Sequence, residues 1–197
     1  MKTLHTPEGI DERSAARDSD LWRFIPYLAF VLAAVTELVA IGFLNRGGIT
    51  YTIDDPYIHL ALAEHISAGT YGINAGESAA PASSILWPFI LSLFSKYGFF
   101  ALVPCALNLA AALSTLMVME RVTYRAVEAD PRVTSAPCVA AFITLLIPAT
   151  NLVPLALTGM EHSLQQLLAV VMVAGLIEES RAMRAPRYLW ADRKSVV

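Results

Sequence analysis

Charge is what this chain has least of. Asp, Glu, Lys and Arg make up only 16% of its 197 residues against 56% hydrophobic residues, and the mean hydropathy is +0.54. That balance excludes both an ordinary water-soluble domain and a disordered polar chain. No basic patch interleaved with aromatic residues is present, so nothing in the chain points to nucleic acid as a partner. The two cysteines, Cys105 and Cys138, both lie in apolar stretches and cannot build a disulfide framework; they read as structural thiols. No internal repeat appears, which removes the usual sequence mark of a two-halved transporter.

What the chain does have is long apolar runs. Residues 24–44 are apolar except for Thr36 and Glu37, enough for a helix to cross a hydrocarbon core of about 30 Å. The run ends in Phe43-Leu44-Asn45-Arg46 without a small-residue cleavage site, so it reads as a retained span, not a signal peptide. Further runs cover 99–119, 137–153 and 163–177. Residues 85–94 are apolar but too few to cross, a length typical of re-entrant or interfacial segments.

Sorting the basic residues by side decides between the possible topologies. If residues 85–94 do not cross, twelve of the 14 Lys and Arg residues fall on the cytoplasmic side, leaving only Arg46 and Lys96 outside. If they do cross, the inside count drops to five of 14. The expected fold is therefore all-α and integral to the membrane. It has a cytoplasmic segment 1–23, four transmembrane helices (24–44, 99–119, 137–153 and 163–177), a cytoplasmic loop 120–136, a short outer loop 154–162 and a cytoplasmic tail 178–197. The extracytoplasmic loop 45–98 is expected to carry two juxtamembrane helices, at about 55–68 and 84–96.

That loop holds the chemistry. In Tyr51-Thr52-Ile53-Asp54-Asp55-Pro56-Tyr57-Ile58-His59 two carboxylates precede a helix start, with Asp55 suited to the N-cap and Pro56 to the first helical position. Gly69 marks the end of that helix. His59 follows Asp55 by four residues and so shares its face. The pair has two readings, a helix cap with a solvated neighbour, or a general base beside a group that holds the acceptor or a divalent cation through oxygen. His59 is either an interfacial histidine or a substrate contact, and His65 reads as a surface residue.

Two acids sit near or within the apolar runs, where ionisable groups are costly. Glu37 lies about seven residues, roughly 10 Å, from the outer end of its helix. Glu161, followed by His162, stands at the outer start of the last span, a place the helix dipole favours for an acid in any case. The four-span arrangement puts it on the same side as Asp54 and Asp55.

Three strings together resemble the polytopic glycosyltransferases that use polyprenyl-phosphate sugars, the GT-C fold. Residues Ile53-Asp54-Asp55-Pro56-Tyr57-Ile58-His59-Leu60 look like that family's first-loop Asp-Asp motif. Gly72-Ile73-Asn74-Ala75-Gly76-Glu77 and Ser84-Ile85-Leu86-Trp87 are similar to its Asn-Pro-Gly-Glu and Leu-Trp segments, with Ala75 in place of the usual proline. Thr158-Gly159-Met160-Glu161 looks like the Ser/Thr-Gly-Met/Leu-Glu string before a later span. The resemblance covers roughly residues 20 to 180.

It implies an inverting transfer from a polyprenyl-phosphate sugar to a glycan, lipid or protein acceptor at the outer face of a bacterial inner membrane. The base or acceptor anchor falls on Asp54 or Asp55, with His59, Glu161 and His162 as substrate contacts. No organic cofactor is implied; a divalent cation at Asp54 and Asp55 is allowed for, since some members need one. Members are longer and have more spans, and Asp192-Arg193-Lys194-Ser195-Val196-Val197 reads like a translated sequencing adapter, so the chain is expected to be the N-terminal part of a longer enzyme and inactive by itself. The rival readings are a non-enzymatic membrane scaffold or assembly protein, whose outer loop binds a subunit, and a transporter fragment working through Glu37 and the proline-broken runs.

Overall fold

A computed structural model describes the backbone of residues 8–48, 50–74, 82–128 and 136–184, with side chains between 21 and 181. The expectations for Gly76 and Glu77, for the side chains of Lys2, Arg13, Arg17, Arg132 and Arg184, and for the tail from 185 onward lie outside these residues.

Among the described residues the structure is all-helical: α1 (Glu8–Leu44), α2 (Asp55–Ser67), α3 (Leu86–Ser92), a 3-10 turn (Phe100–Leu102), α4 (Val103–Glu128), α5 (Ala136–Ala149), α6 (Leu152–Leu157) and α7 (His162–Arg184). Three stretches are long and apolar enough to cross a membrane, Leu21–Leu44, Phe100–Val127 and His162–Arg181. Their outer faces stay apolar. Phe24, Leu28, Val39 and Phe43 on α1, and Leu168, Met172 and Leu176 on α7, are exposed. An apolar surface of that extent suits lipid and not water.

Two ends of the bundle can be told apart by their cross-links. At one end Asn108 of α4 donates to the Met160 carbonyl just before α7, at 2.6 Å. At the other, Arg125 of α4 pairs with Glu178 of α7. The two helices therefore run parallel. At that second end Arg23 of α1 meets Glu120 of α4 at 3.2 Å and lies over the Tyr124 ring, 4.5 Å from its centre, while the Tyr27 hydroxyl also bonds Glu120. At the first end the Tyr51 hydroxyl, shortly after α1, accepts the Cys105 N–H at the beginning of α4, so α1 and α4 are antiparallel. Between them Ala112, Leu116, Ile143, Leu152 and Ala156 are almost completely buried. Small residues there let helices approach closely.

Five boundaries differ from the sequence reading, the first being the start of α1 at Glu8 and not at 24. The run 137–153 is not one helix: α5 stops at Ala149, Asn151 turns left-handed at φ 50°, and α6 begins at Leu152. Pro154 lacks the N–H that would carry the helical ladder back to Thr150 across the join, and Pro148 removes a rung one turn earlier. The second juxtamembrane helix is seven residues, Leu86–Ser92, and not 84–96, because turns take over from Leu93. Residues 99–119 begin as a 3-10 turn and the helix then continues to Glu128. The last run is longer than 163–177 at both ends. By contrast α2 ends as its sequence indicates: Gly69 takes φ +85° and Thr70 N–H reaches back to the His65 carbonyl at 3.0 Å.

This arrangement sets an expected labelling pattern. In a Cys138→Ser background, Arg46→Cys and Lys96→Cys should react with an impermeant maleimide from one side of the membrane, and Arg125→Cys only from the other. Labelling of positions 96 and 125 from the same side would contradict the two-ended bundle.

Candidate functional site

The site-bearing end of the bundle is built around a turn that admits only glycine. Gly159 has φ +80°, and a Cβ placed on it would stand 2.7 Å from the Tyr51 ring and 3.0 Å from Pro56 Cβ. Backbone conformation and crowding thus make the same demand. Tyr51 is fixed on its other sides as well. Its hydroxyl donates to the Ala101 carbonyl at 2.7 Å and accepts the Cys105 N–H at 3.3 Å, and its N–H donates to the Tyr57 hydroxyl at 3.0 Å. Burial holds that phenol well above its ordinary titration range, so it stays a neutral donor.

The remaining strap is Trp87, 2% exposed, whose indole N–H donates to the Gly159 carbonyl at 3.2 Å. Segments far apart in the sequence, around 51–59, 87 and 158–163, therefore meet at one turn. α2 and α3 also pack along each other, and Tyr71 stacks on Phe89 with ring centres 6.1 Å apart.

Asp54 and Asp55 lie at the exposed rim of this assembly, followed by the buried Pro56. Asp55 is not the N-cap. That position belongs to Asp54, whose backbone is already helical (φ −81°, ψ −26°), so its carbonyl accepts from Tyr57 and Ile58 while its side chain makes no capping bond. A capping side chain normally needs an extended backbone to fold back on the first turn. Both carboxylates are consequently left to solvent, and neither forms an ion pair with a described residue.

Behind them, one turn along α2, His59 is 1% exposed and its Nε2 lies 3.8 Å from Oε2 of Glu161, itself 6% exposed. That separation is ion-pair distance but too long for a hydrogen bond. Burial pushes the His59 imidazole below its ordinary value, while the Glu161 and Asp55 carboxylates pull the other way and do not overcome it. The neutral ring is the form we assign, since desolvation outweighs the two charges.

Two further buried groups complete the neighbourhood. Asn108 is held by the Met160 carbonyl, and Ser163 sits in the first turn of α7; both are 0% exposed. His59 Nδ1, Asn108 Oδ1, Glu161 Oε2 and Ser163 Oγ all lack a hydrogen-bond partner among the described residues. Buried polar atoms in this state ordinarily hold water or a ligand group. Of the residues singled out from sequence, Asp54, Asp55, His59 and Glu161 share this end of the bundle. His162 does not join them: its side chain is exposed at the start of α7. His65 is half-buried and bonds the Gly72 carbonyl, which ties down the turn after α2 and leaves it no part in the site.

No family model, curated protein or solved structure matches the chain.

Asn108, Ser163 and Tyr51 were not picked out from sequence. Asn108 left a signal, an amide in the middle of an apolar run, where polar groups are expensive. Ser163 and Tyr51 left none, since either is ordinary next to a span. Among the described residues no group of three or more His, Cys, Asp or Glu side chains converges on a point. A divalent ion at Asp54 and Asp55 would therefore draw its remaining oxygens from water or from a substrate phosphate.

Two outcomes follow from this geometry. Gly159→Ala should lower the unfolding free energy by about 2 kcal/mol, read as a drop in unfolding midpoint in detergent. For His59, the unfolded chain titrates at about 6.5 and takes up the proton before the folded one does. Stability should hold above that pH and decline as pH falls toward 5. Thermal midpoints of wild type and His59→Gln across that range should converge at the acid end, and a parallel decline in both would remove the assignment.

Proposed function

We propose that the protein is a membrane glycosyltransferase that moves a sugar from a polyprenyl-phosphate donor to an extracytoplasmic acceptor with inversion at the anomeric carbon. The observation that supports this reading most is the junction at Gly159. The strings that resemble the GT-C family, around Asp54-Asp55, Trp87 and Thr158-Gly159-Met160-Glu161, are separate in sequence yet lie against one another in space. If they were unrelated chance matches, nothing would require them to converge.

In this reading α5 and α6 together make the third of four crossings, and the end bearing Asp54 and Asp55 faces away from the cytoplasm. The described basic residues fit that sense. Arg23, Arg121, Arg125 and Arg181 belong to the far end, and only Arg46 and Lys96 to the site end.

The chemistry asked of the site is modest. One exposed carboxylate of the Asp54-Asp55 pair takes the proton from the acceptor hydroxyl as its oxygen bonds to the anomeric carbon. The bond to the phosphate oxygen breaks on the opposite face, and the polyprenyl phosphate leaves with the electron pair. The second carboxylate holds the acceptor or a divalent ion on the phosphate. His59 and Glu161 are too buried to touch substrate in this conformation; they position α2, and with it the acidic pair.

The test is transfer of labelled sugar from polyprenyl-phosphate donors by membranes expressing the complete reading frame from which the chain comes. Replacing the base aspartate with Asn should lower the rate about 10²–10⁴-fold, and replacing its neighbour should act mainly on KM. Activity unchanged in both Asp54→Asn and Asp55→Asn would end this assignment.

A further inference from the structure

Toward the end of the bundle opposite the Gly159 junction, α7 carries a continuous strip that the proposed transfer does not use. Two adjoining hollows, each of about 300 Å³, share Val173 and Ile177 among their lining residues. The inner one lies between Met119 and Val122 of α4, Leu146 of α5, and Ala169, Val170 and Ala174 of α7. Its lone polar side chain among the described residues is Thr123, whose hydroxyl donates to the Met119 carbonyl at 2.8 Å. Nothing in that hollow asks for a polar ligand. The small side chains at 169 and 174 leave the room, and Val173 on the rim is exposed, so the hollow opens toward lipid.

The outer hollow changes character along the same face. Its lining residues Val173, Leu176, Ile177, Ser180 and Arg181 are three and four positions apart, which puts them on one side of the helix. Arg181 is exposed and forms no ion pair or hydrogen bond with a described residue. Glu178 is already matched to Arg125, and Glu179, two residues before Arg181, does not face it. The strip therefore ends in an unneutralised guanidinium beside a hydroxyl, groups that suit phosphate oxygens. From Ala169 to Arg181 it is about 18 Å long at 1.5 Å per residue. Half of a hydrocarbon core of about 30 Å is about 15 Å. The strip thus matches the depth of one leaflet, apolar where an acyl chain lies and cationic where its headgroup lies. A free phosphate would make no use of the hollow beneath Arg181, and a wholly apolar ligand none of the guanidinium.

We propose that the groove between α4 and α7 binds an acyl chain of an anionic phospholipid, whose phosphate is held by Arg181 and Ser180. A choline headgroup brings its own cation to the phosphate, so a headgroup of net negative charge gains more from the arginine; basic pockets between membrane helices take anionic lipids in this way. The site shares no residue with the junction at Gly159 and does not depend on the sugar-transfer reading.

Phosphatidylglycerol carrying a diazirine in one acyl chain tests it on the intact protein, as a minor component of phosphatidylcholine nanodiscs. After illumination, peptide mass spectrometry should place the adduct on residues 119–123 or 169–177. Phosphatidylcholine with the same diazirine chain should label them severalfold less, and unlabelled phosphatidylglycerol should compete the adduct away. Arg181→Gln should remove the preference between the two headgroups, whereas Arg46→Gln, at the opposite end, should leave it intact. Val173→Phe, at an exposed position, fills the groove and should reduce labelling by both lipids severalfold. Equal labelling by the two lipids, a preference that survives Arg181→Gln, undiminished labelling in Val173→Phe, or no adduct in the groove because protein covers it would each overturn the proposal.

Discussion

The approach of Tyr51 to the backbone of Gly159 is the contact on which the rest of this end of the molecule depends. A side chain at 159 would displace the tyrosine ring, and the ring is what anchors the segment after α1 to the Ala101 carbonyl and the Cys105 N–H. Trp87 closes the same turn from the other side. With both aromatic groups in place, α2 has one position in which Pro56 and His59 are buried and Asp54 and Asp55 are not. The exposure of the two carboxylates is thus a consequence of packing behind them, and local helix-start preferences do not account for it.

Polarity in this bundle is concentrated at its ends for a simple reason. Each charge moved toward the middle of an apolar span costs free energy unless it is matched. Glu120 meets that condition through Arg23 and Tyr27, and Glu178 through Arg125. Glu161 meets it only in part, through a 3.4 Å contact from Gln165, since the His59 ring 3.8 Å away is neutral. Glu37 has no such partner among the described residues. The two incompletely matched acids lie in different places, one behind the exposed aspartates and one on α1.

Much of the fold was readable from composition and spacing. The apolar run before Asn45, the stop of α2 at Gly69 and the helix beginning at Asp55 all rest on local chemistry: span length, a left-handed glycine, a proline at a helix start. The break at Thr150-Asn151 was less legible. Pro148 and Pro154 indicated trouble in the ladder, but a proline near a helix end can be absorbed as a kink, and only the packing of α6 against α4 turns it into a new helix. The cap at Asp54 was misread for a related reason. Sequence preference places a favourable residue at a boundary, whereas the backbone angles there are fixed by how the preceding segment is pulled in by Tyr51.

By itself, the sequence determined that this chain is helical, apolar on the outside and supplied with carboxylates just beyond its first long helix, because hydropathy and helix signals act over a few residues. Only the tertiary structure decided which of those carboxylates have company. The His59–Glu161 approach, the Trp87 bond to Gly159 and the burial of Asn108 each join residues fifty or more positions apart. No local preference encodes such distances; they are fixed when the helices pack and the one residue without a side chain lets two segments touch.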